Sequence, residues 1–559
     1  MSDLSFTSFN ARPRVGSLAR LGWWVLGMGV LAIWLGLAIW ANLDASAGRP
    51  MLFMDELISF DGVNAIQGSA SGTQLLDNLV GPDQRYGRPL WWYAWIVSAP
   101  IEPLAGDQGQ IIATRMGFAM LVATSSLGLA DALVRGTGWR VLALTAALVV
   151  PFSSYYATMP KPEPLMLTFL AGFIWLLARR ENVLGWPFLL LGLAFGAKIS
   201  ALPIVVILGG FAVLRAALLL PPKLLATGLR RSALSFFGGF AISVPIAFLA
   251  PPAGFLTYVE STWANRGHYH DDPSIGLLDW LGYVQDEAFF GAGWLSWAIV
   301  IVMAGAISAA LWRARGDGSM REQLGGLVTS HAGTIFAVAL AGAAAMGAIF
   351  VSTDRLWGFY LYPGVLLISV AAIAATEELA ASRLQHSARM GVFALAGLAF
   401  AGNVYAGASH TIGDFETLAH RSSSAEFIAQ SSRHEAVLAA SAAEAERLGR
   451  PVSVAYSAQL WHPDDTDTAT YFTFFKTFAH WQLEDLDLVI LHERDVDFSL
   501  QPQTPENLSG VEIAREALFA HTEYGGPCSE APCWRELPIA TEGVHIFQRI
   551  QPRTVTSLD

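Results

Sequence analysis

"LGWWVLGMGVLAIWLGLAIWANL", residues 21–43, is a run of 23 residues without a single charge. A transmembrane helix needs about 20 consecutive apolar residues, so this segment can cross a bilayer with some tilt. Similar apolar runs recur along the chain to about residue 408. The sequence therefore predicts an α-helical, multi-spanning membrane protein. A removable signal peptide fits less well, because the run is too long for a signal h-region and further spans follow it.

The composition separates a membrane part from an acidic tail. The 559 residues are 53% hydrophobic and 14% charged, whereas soluble proteins carry about 25% charged residues. From residue 410 to the end the chain has 23 acidic and 10 basic residues, a balance of −13, which leaves +1 for the rest against a total of −12. The tail is therefore predicted to face water. Its charge excludes nucleic acid as a partner, because nucleic acid requires a basic surface.

The distribution of basic residues predicts how the chain is threaded. Arg12, Arg14 and Arg20 precede the first span, so the positive-inside rule places the N-terminus in the cytosol. Keeping the later basic clusters on that side requires about 11 spans and puts the tail outside. The predicted spans are 21–43, 111–131, 141–158, 164–178, 183–197, 200–218, 232–250, 292–312, 331–351, 360–376 and 390–408.

This threading divides the chain into three parts: a cytosolic N-terminus (1–20), a transmembrane domain (21–409) and a soluble extracytoplasmic domain (410–559). The first outer loop, 44–110, contains "PLWWYAWIVSAPI" (89–101), which is apolar but short, with proline near both ends. It is predicted to be an interfacial helix with its tryptophans at headgroup depth.

The tail alternates helical and strand patterns, which predicts a small α/β domain. An alanine-rich stretch, 424–449, favours a helix that stops at its final glycine, and 451–457, 486–493 and 544–550 favour strands. Two cysteines, Cys528 and Cys533, lie in this domain. Outside the cytosol they are expected to close a small disulfide loop, and the lack of nearby histidines at ligand spacing argues against zinc.

The polar residues of interest all fall on the predicted outer side, in five separate segments. "FMDELISFDG" (53–62) comes directly after the first span and carries an acidic pair. Charges at membrane depth are costly, so they usually face a cavity and pair with one another. We therefore expect one polar pocket in which cations hold a lipid phosphate and a carboxylate takes a proton. The candidates are Asp55, Glu56, Arg85, Arg88, Lys161, Glu163, Lys198, Arg266, His268, His270, Asp271, Asp272 and Arg355.

The order of these motifs resembles the GT-C superfamily of integral-membrane glycosyltransferases, in the branch of aminoarabinose transferase and protein O-mannosyltransferases. The acidic pair after the first span is followed by "GRPLWWYAW" and by Arg115 at the start of the second span. "YYATMPKPEPLM" then precedes a span, Lys198 lies among small residues, and "FYLYPGVLL" opens a late span. The sequence departs from the family where its usual His-Pro-Pro block reads Gly-Arg-Pro, and where Glu163 stands in place of an aspartate.

The resemblance implies an inverting transfer of a sugar from a polyprenyl-phosphate donor to the hydroxyl of a lipid, glycan or protein acceptor. It implies a bacterial inner-membrane enzyme with a periplasmic C-terminal domain. We assign Asp55 as the general base, with Glu56 and Glu163 as further catalytic candidates. The candidates for stabilising the donor phosphate are Lys198, Arg355, Arg88 and Arg266, and those for an acceptor loop are His268, His270 and Asp271.

Simpler interpretations stay open for several of these residues. Asp55 and Glu56 also suit the cap or a surface ion pair of an interfacial helix, and Glu163 suits the first turn of a helix. "HYHDD" (268–272) suits either a divalent metal ion or a solvated loop, and no other cofactor is indicated. Two other classes of protein stay open: a polymerase or ligase of envelope glycans, which would share an outer polar site, and a secondary transporter. A transporter would place its site at mid-membrane, often in repeated halves, and the sequence has no repeat.

Overall fold

The computed structural model describes residues 17–43, 54–80, 87–256, 258–259, 276–289, 320–352, 358–380, 386–457, 460, 469–472, 486–493, 496, 533–538 and 541–550. Helices dominate these residues up to 448, and a small sheet follows.

Eighteen α-helices lie in the described residues. They are α1 Ser17–Leu43, α2 Met54–Gln67, α3 Gly72–Val80, α4 Pro89–Ser98, α5 Glu102–Leu133, α6 Thr137–Leu148, α7 Ser153–Thr158, α8 Pro162–Arg179, α9 Phe188–Ala197, α10 Leu202–Leu219, α11 Pro222–Ser243, α12 Ile246–Leu249, α13 Leu277–Phe289, α14 Met320–Thr329, α15 His331–Ser352, α16 Tyr362–Ala380, α17 His386–Ala419 and α18 Ala425–Leu448. Short 3₁₀ helices at Ile199–Ala201 and Gly358–Leu361 lead into α10 and α16.

Five helical segments of the described residues are long and apolar enough to cross a membrane. They are Leu21–Leu43, Glu102–Leu133, Ile199–Leu219, His331–Phe350 and Gly358–Ala380. Four of them contain a predicted span and His331–Phe350 covers all but the last residue of the span 331–351. The expectation of a helical protein with several membrane-compatible segments is confirmed.

The structure does not confirm eleven spans. The predicted span 141–158 is broken between α6 and α7, where Pro151 lacks an amide hydrogen and Phe152 adopts a left-handed conformation (φ 67°). The predicted span 183–197 is helical only from Phe188, directly after Pro187. The predicted span 292–312 lies outside the described residues.

The short helix α9 packs closely against α11 because glycines remove the side chains between them. A β-carbon at Gly192 would lie 2.0 Å from the carbonyl oxygen of Phe236, and one at Gly239 would lie 2.2 Å from that of Leu189. The two backbones therefore approach more closely than any other residue would allow. This contact fixes the position of the C-terminal end of α9. Lys198 is the next residue after that end.

One end of the helix bundle is held by ion pairs and helix-end contacts. Asp131 in the last turn of α5 pairs with Arg140 of α6 at 3.0 Å and with Arg179 at the end of α8. Glu377, near the end of α16, accepts a hydrogen bond from the backbone N–H of Arg135 at 2.8 Å. The basic clusters at 135–140 and 179–180 therefore share one end of the bundle, and the N-terminal ends of α8 and α16 lie at the other.

The described residues of the first loop include the helices α2, α3 and α4, and the aromatic helix α4 is partly buried. A β-carbon at Gly62 of α2 would lie 2.1 Å from the indole of Trp91 in α4. Trp91 is only 1% exposed. The predicted helix is therefore confirmed, and α2 covers the ring of Trp91. The expected location of its tryptophans at headgroup depth stays a prediction.

The C-terminal residues form the predicted small α/β domain. Five strands, β1 Val454–Ser457, β2 Ala469–Phe472, β3 Leu488–His492, β4 Cys533–Leu537 and β5 Val544–Ile550, form one sheet in the order β2-β1-β3-β5-β4. Strand β1 is parallel to β2 and β3, whereas β5 is antiparallel to β3 and β4. Helix α18 precedes the sheet, begins at the Ser424 side-chain cap and ends at left-handed Gly449 (φ 65°), as predicted.

The glycine contact between α9 and α11 generates a stability prediction. Gly192→Ala should lower the free energy of unfolding by about 1–3 kcal/mol, because its methyl group would meet backbone atoms that cannot rotate away. Gly210→Ala is the matched control, because a β-carbon there meets nothing within 4 Å. Thermal unfolding of the detergent-purified proteins measures both. Equal melting temperatures for the two variants would contradict this packing.

Candidate functional site

Glu163 is fixed in the first turn of α8 by the prolines around it. Lys161 has extended backbone angles (φ −135°, ψ 159°), as expected for a residue before proline, and Pro162 begins the helix. The carboxylate then lies at the positive end of the helix, where a negative charge is stabilised. Glu163 is only 2% exposed, so it is a buried acid and not a surface cap.

Lys198 provides the positive charge that a buried carboxylate requires. It lies between α9 and the 3₁₀ helix Ile199–Ala201 and has an extended backbone (φ −155°, ψ 127°). Its Nζ forms an ion pair with Oε1 of Glu163, and the two side chains are 14% and 2% exposed. Removing two such charges from water is costly and is offset only by close mutual contact. Two of the predicted site residues, 35 positions apart, are thus brought together.

The second carboxylate oxygen is less well satisfied. Glu163 Oε2 is buried and has no hydrogen-bond partner among the described residues. The Tyr156 side chain lies close enough to Glu163 to interact with its charge, and its hydroxyl donates a hydrogen bond to the carbonyl oxygen of Phe359 at 2.9 Å. A buried acceptor with spare capacity is a place where a polar ligand or a proton can bind.

Lys161 is a second lysine of this site, and it is buried, whereas Lys198 is partly exposed. The sequence indicated no role for it. It is 5% exposed, and its Nζ lies 4.0 Å from the ring centroid of Phe359 and 5.2 Å from that of Tyr155. Those two rings stack on each other at 5.2 Å with an interplanar angle of 17°. The aromatic faces stabilise the ammonium group by cation–π attraction. The signal in the sequence was its position between two prolines, two residues before Glu163.

The 3₁₀ helix Gly358–Leu361, which we call the 358–361 turn, connects these groups. Its Phe359 ring faces Lys161, and its Tyr360 ring lies 5.2 Å from Nζ of Lys198. We define the carboxylate–lysine cluster as Glu163 with the two lysines and the four rings that surround them. The members of the cluster are Tyr155, Tyr156, Lys161, Glu163, Lys198, Phe359 and Tyr360.

A further acid, which sequence reasoning missed, reaches the same turn. A β-carbon at Gly358 would lie 2.4 Å from Oε2 of Glu287 in α13 and 2.3 Å from Cζ of Phe152. Nothing in the sequence around Glu287 indicates this proximity, because α13 lies some 70 residues before the turn.

Arg88 borders the cluster through its backbone rather than its charge. Gly87 and Arg88 donate backbone hydrogen bonds to the carbonyl oxygens of Ala197 (3.2 Å) and Ser243 (2.8 Å). The guanidinium lies over the Trp91 ring at 4.5 Å, and its Nε donates to the carbonyl oxygen of Val80 at 3.0 Å. Arg88 thus holds the first loop beside the end of α9.

The acidic pair of the first loop lies on α2, which packs against α4. Val63 of α2 and Leu165 of α8 belong to one buried apolar cluster, and Leu165 is two residues beyond Glu163. Asp55 and Glu56 lie in the first turn of α2, but their side chains are outside the described part of the structure.

Several predicted residues lie in segments that are not described. They are Arg85, Arg266, His268, His270, Asp271, Asp272, Arg355 and Cys528, whereas Cys533 is the first residue of β4. The described residues contain no group of three His, Cys, Asp or Glu side chains that would hold a metal ion. The disulfide and the metal alternative at residues 268–272 therefore stay predictions.

Comparison with known proteins adds no assignment. No family model matches the chain, and no curated protein matches it.

The buried ion pair generates a prediction about stability. Lys198→Met should lower the free energy of unfolding by about 3–5 kcal/mol, because it leaves the Glu163 carboxylate buried without its counter-charge. The double variant Glu163→Gln with Lys198→Met should recover most of this loss, since no net charge is then buried. Thermal unfolding in detergent measures both. A double variant as unstable as the single one would show that the pair is not the cause.

Proposed function

We propose that this chain is a membrane-embedded glycosyltransferase, which moves a sugar from a polyprenyl-phosphate carrier to an acceptor hydroxyl with inversion at the anomeric carbon. The observation that carries the proposal is the buried Glu163–Lys198 ion pair, with a second buried lysine and an aromatic shell at one end of an apolar helix bundle. It supports the family resemblance at two of the positions on which that resemblance rests.

The two lysines suit a phosphate that becomes more negative as the reaction proceeds. When the bond between the anomeric carbon and the phosphate oxygen breaks, the electron pair leaves with the phosphate. Lys198 and Lys161 would stabilise that charge in a site from which water is largely excluded, where electrostatic interactions are strong. Arg88, Arg266 and Arg355 are further candidates for this role. In this proposal Glu163 acts by holding Lys198 in position and keeping it protonated until the phosphate arrives.

The location of the cluster suits a substrate that is delivered by a lipid. Glu163 is in the first turn of α8, Lys198 follows the last residue of α9, and the 358–361 turn precedes α16. All three positions are helix ends, whereas transporters usually bind their substrates where helices are interrupted at mid-membrane. A polyprenyl chain in the bilayer would bring its phosphate to this level without leaving the membrane.

The proton of the acceptor hydroxyl requires a base, and we assign Asp55. The hydroxyl oxygen attacks the anomeric carbon from the side opposite the phosphate, which accounts for inversion, and Asp55 accepts the proton as the new bond forms. The ordinary pKa of aspartate is about 3.9, so Asp55 would contribute mainly by positioning the hydroxyl and taking the proton late. Glu56 would be about 100° away around the helix and would serve as a hydrogen-bond or ion-pair partner.

The distribution of arginines between the two ends of the bundle supports a location and an orientation. Basic residues gather at the end that contains Asp131 and Arg179, and the cluster lies at the other end. By the positive-inside rule the first end faces the cytosol. The cluster, and the acidic α/β domain that follows α17, would then face the periplasm of a bacterium from its inner membrane.

Transfer from a labelled carrier tests the proposal. The protein in liposomes is given polyprenyl phosphate that carries a radiolabelled sugar, together with membrane extract as the source of acceptor. Asp55→Asn should lower transfer about 100-fold or more, the range expected when a general base is lost. Asp77→Asn is the matched control, because Asp77 lies exposed on α3 of the same loop and should be neutral.

The outcomes distinguish the competing classes of protein. Label that crosses the membrane while still attached to its carrier would indicate a transporter. Label released into a growing polymer or a completed glycan would indicate an envelope-glycan polymerase or ligase. Unchanged transfer by Asp55→Asn would remove Asp55 from the role of base.

A further inference from the structure

We infer that Glu287 binds hydroxyl groups of the sugar carried by the lipid phosphate, an inference that rests on the proposed glycosyl transfer. Glu287 belongs to α13, a helix outside the segments that carry the family resemblance. It reaches the 358–361 turn, around which the carboxylate–lysine cluster is built.

The position of Glu287 is fixed by a close approach at Gly358. A β-carbon at Gly358 would lie 2.4 Å from Glu287 Oε2 and 3.1 Å from Glu287 Cδ. The next two residues of the turn, Phe359 and Tyr360, face Lys161 and Lys198. The carboxylate therefore lies beside the same four-residue turn that both lysines contact.

Glu287 also has unused binding capacity. Within the described residues its carboxylate forms no ion pair and no hydrogen bond, although the side chain is half-buried. The hydroxyl of Tyr283, one helical turn earlier, is buried and has no hydrogen-bond partner in the described part of the chain. Burial and the charge of Glu287 raise the pKa of Tyr283, so its hydroxyl keeps its proton. Two adjacent polar groups thus lack a partner within the described part of the chain, which suits the binding of a polar ligand.

The negative charge of Glu287 determines which part of the donor this residue can bind. A carboxylate repels a phosphate, so Glu287 would oppose binding if the phosphate lay against it. Its two oxygens are instead strong acceptors for hydroxyl groups, and hydrogen bonds to a charged acceptor are stronger than neutral ones. The nearby aromatic rings offer apolar faces to the carbon side of a sugar ring. The geometry thus points to lysines on the phosphate and Glu287 on the sugar, with the 358–361 turn between them.

Binding of the carrier with and without its sugar tests this assignment. The probes are a short-chain polyprenyl phosphate and its mannosyl and arabinosyl derivatives, titrated by intrinsic tryptophan fluorescence of the full chain in detergent. Wild type should bind a glycosylated probe more tightly than the bare phosphate. Glu287→Gln should weaken binding of that glycosylated probe about tenfold or more and leave binding of the bare phosphate unchanged.

Asp286→Asn is the matched control, because Asp286 is the adjacent acid on α13 and is exposed. It should retain the wild-type preference for the glycosylated probe. Unchanged binding of the bare phosphate by Glu287→Gln also shows that the variant is folded. If Glu287→Gln does not fold, Glu287→Asp keeps the charge but withdraws it by one methylene group, and it should show the same selective loss.

The inference is overturned if wild type binds all probes equally, or if the Glu287 variants keep the wild-type preference. A different result would count against the proposed function alone. In that case the preference for the glycosylated probe depends on Glu287, but the liposome assay detects no sugar transfer. The sugar-binding assignment and the glycosyl-transfer proposal can therefore fail separately.

Discussion

A buried carboxylate must have a cation beside it, and this requirement organises one end of the molecule. Glu163 is almost completely buried at the start of α8, and the lysine that neutralises it comes from the turn after α9. The ends of these two helices must therefore meet. The glycine contact between α9 and α11 and the backbone hydrogen bond from Gly87 to Ala197 hold the lysine-bearing turn in place. A loss of this arrangement would leave an unpaired charge in an apolar environment, which is far more costly than any single apolar contact.

The 358–361 turn brings separate parts of the bundle to this pair. Its Phe359 carbonyl accepts a hydrogen bond from Tyr156, and its rings face the two lysines. Helix α7, which supplies the tyrosines, is anchored from the other side by a 2.5 Å hydrogen bond from Ser154 to Asp414 of α17. Helix α17 leads on toward the α/β domain, so the last helix before that domain contacts the segment that shapes the cluster.

The distribution of charge around the turn separates two kinds of chemistry. Lysines beside one part of the turn suit a phosphate, and the carboxylate of Glu287 beside another part suits hydroxyl groups. A lipid-linked sugar has both features on adjacent atoms, and its lipid tail matches the apolar helices that surround the site. This combination favours a donor of that class over a soluble nucleotide sugar, which would not need a site at the ends of membrane-compatible helices.

The sequence by itself determined that the chain is mostly helical with several apolar segments able to cross a membrane, and it indicated the small C-terminal α/β domain and the candidacy of Glu163 and Lys198. Long apolar runs, prolines and a terminal glycine act through local physics, so these features can be read without a structure. Only the tertiary structure decided that Glu163 pairs with Lys198, that Lys161 lies between aromatic rings, that α2 covers Trp91, and that Glu287 reaches Gly358. Each of those contacts joins residues whose proximity is set by helix packing and by the cost of burying charge, and neither leaves a local pattern in the sequence.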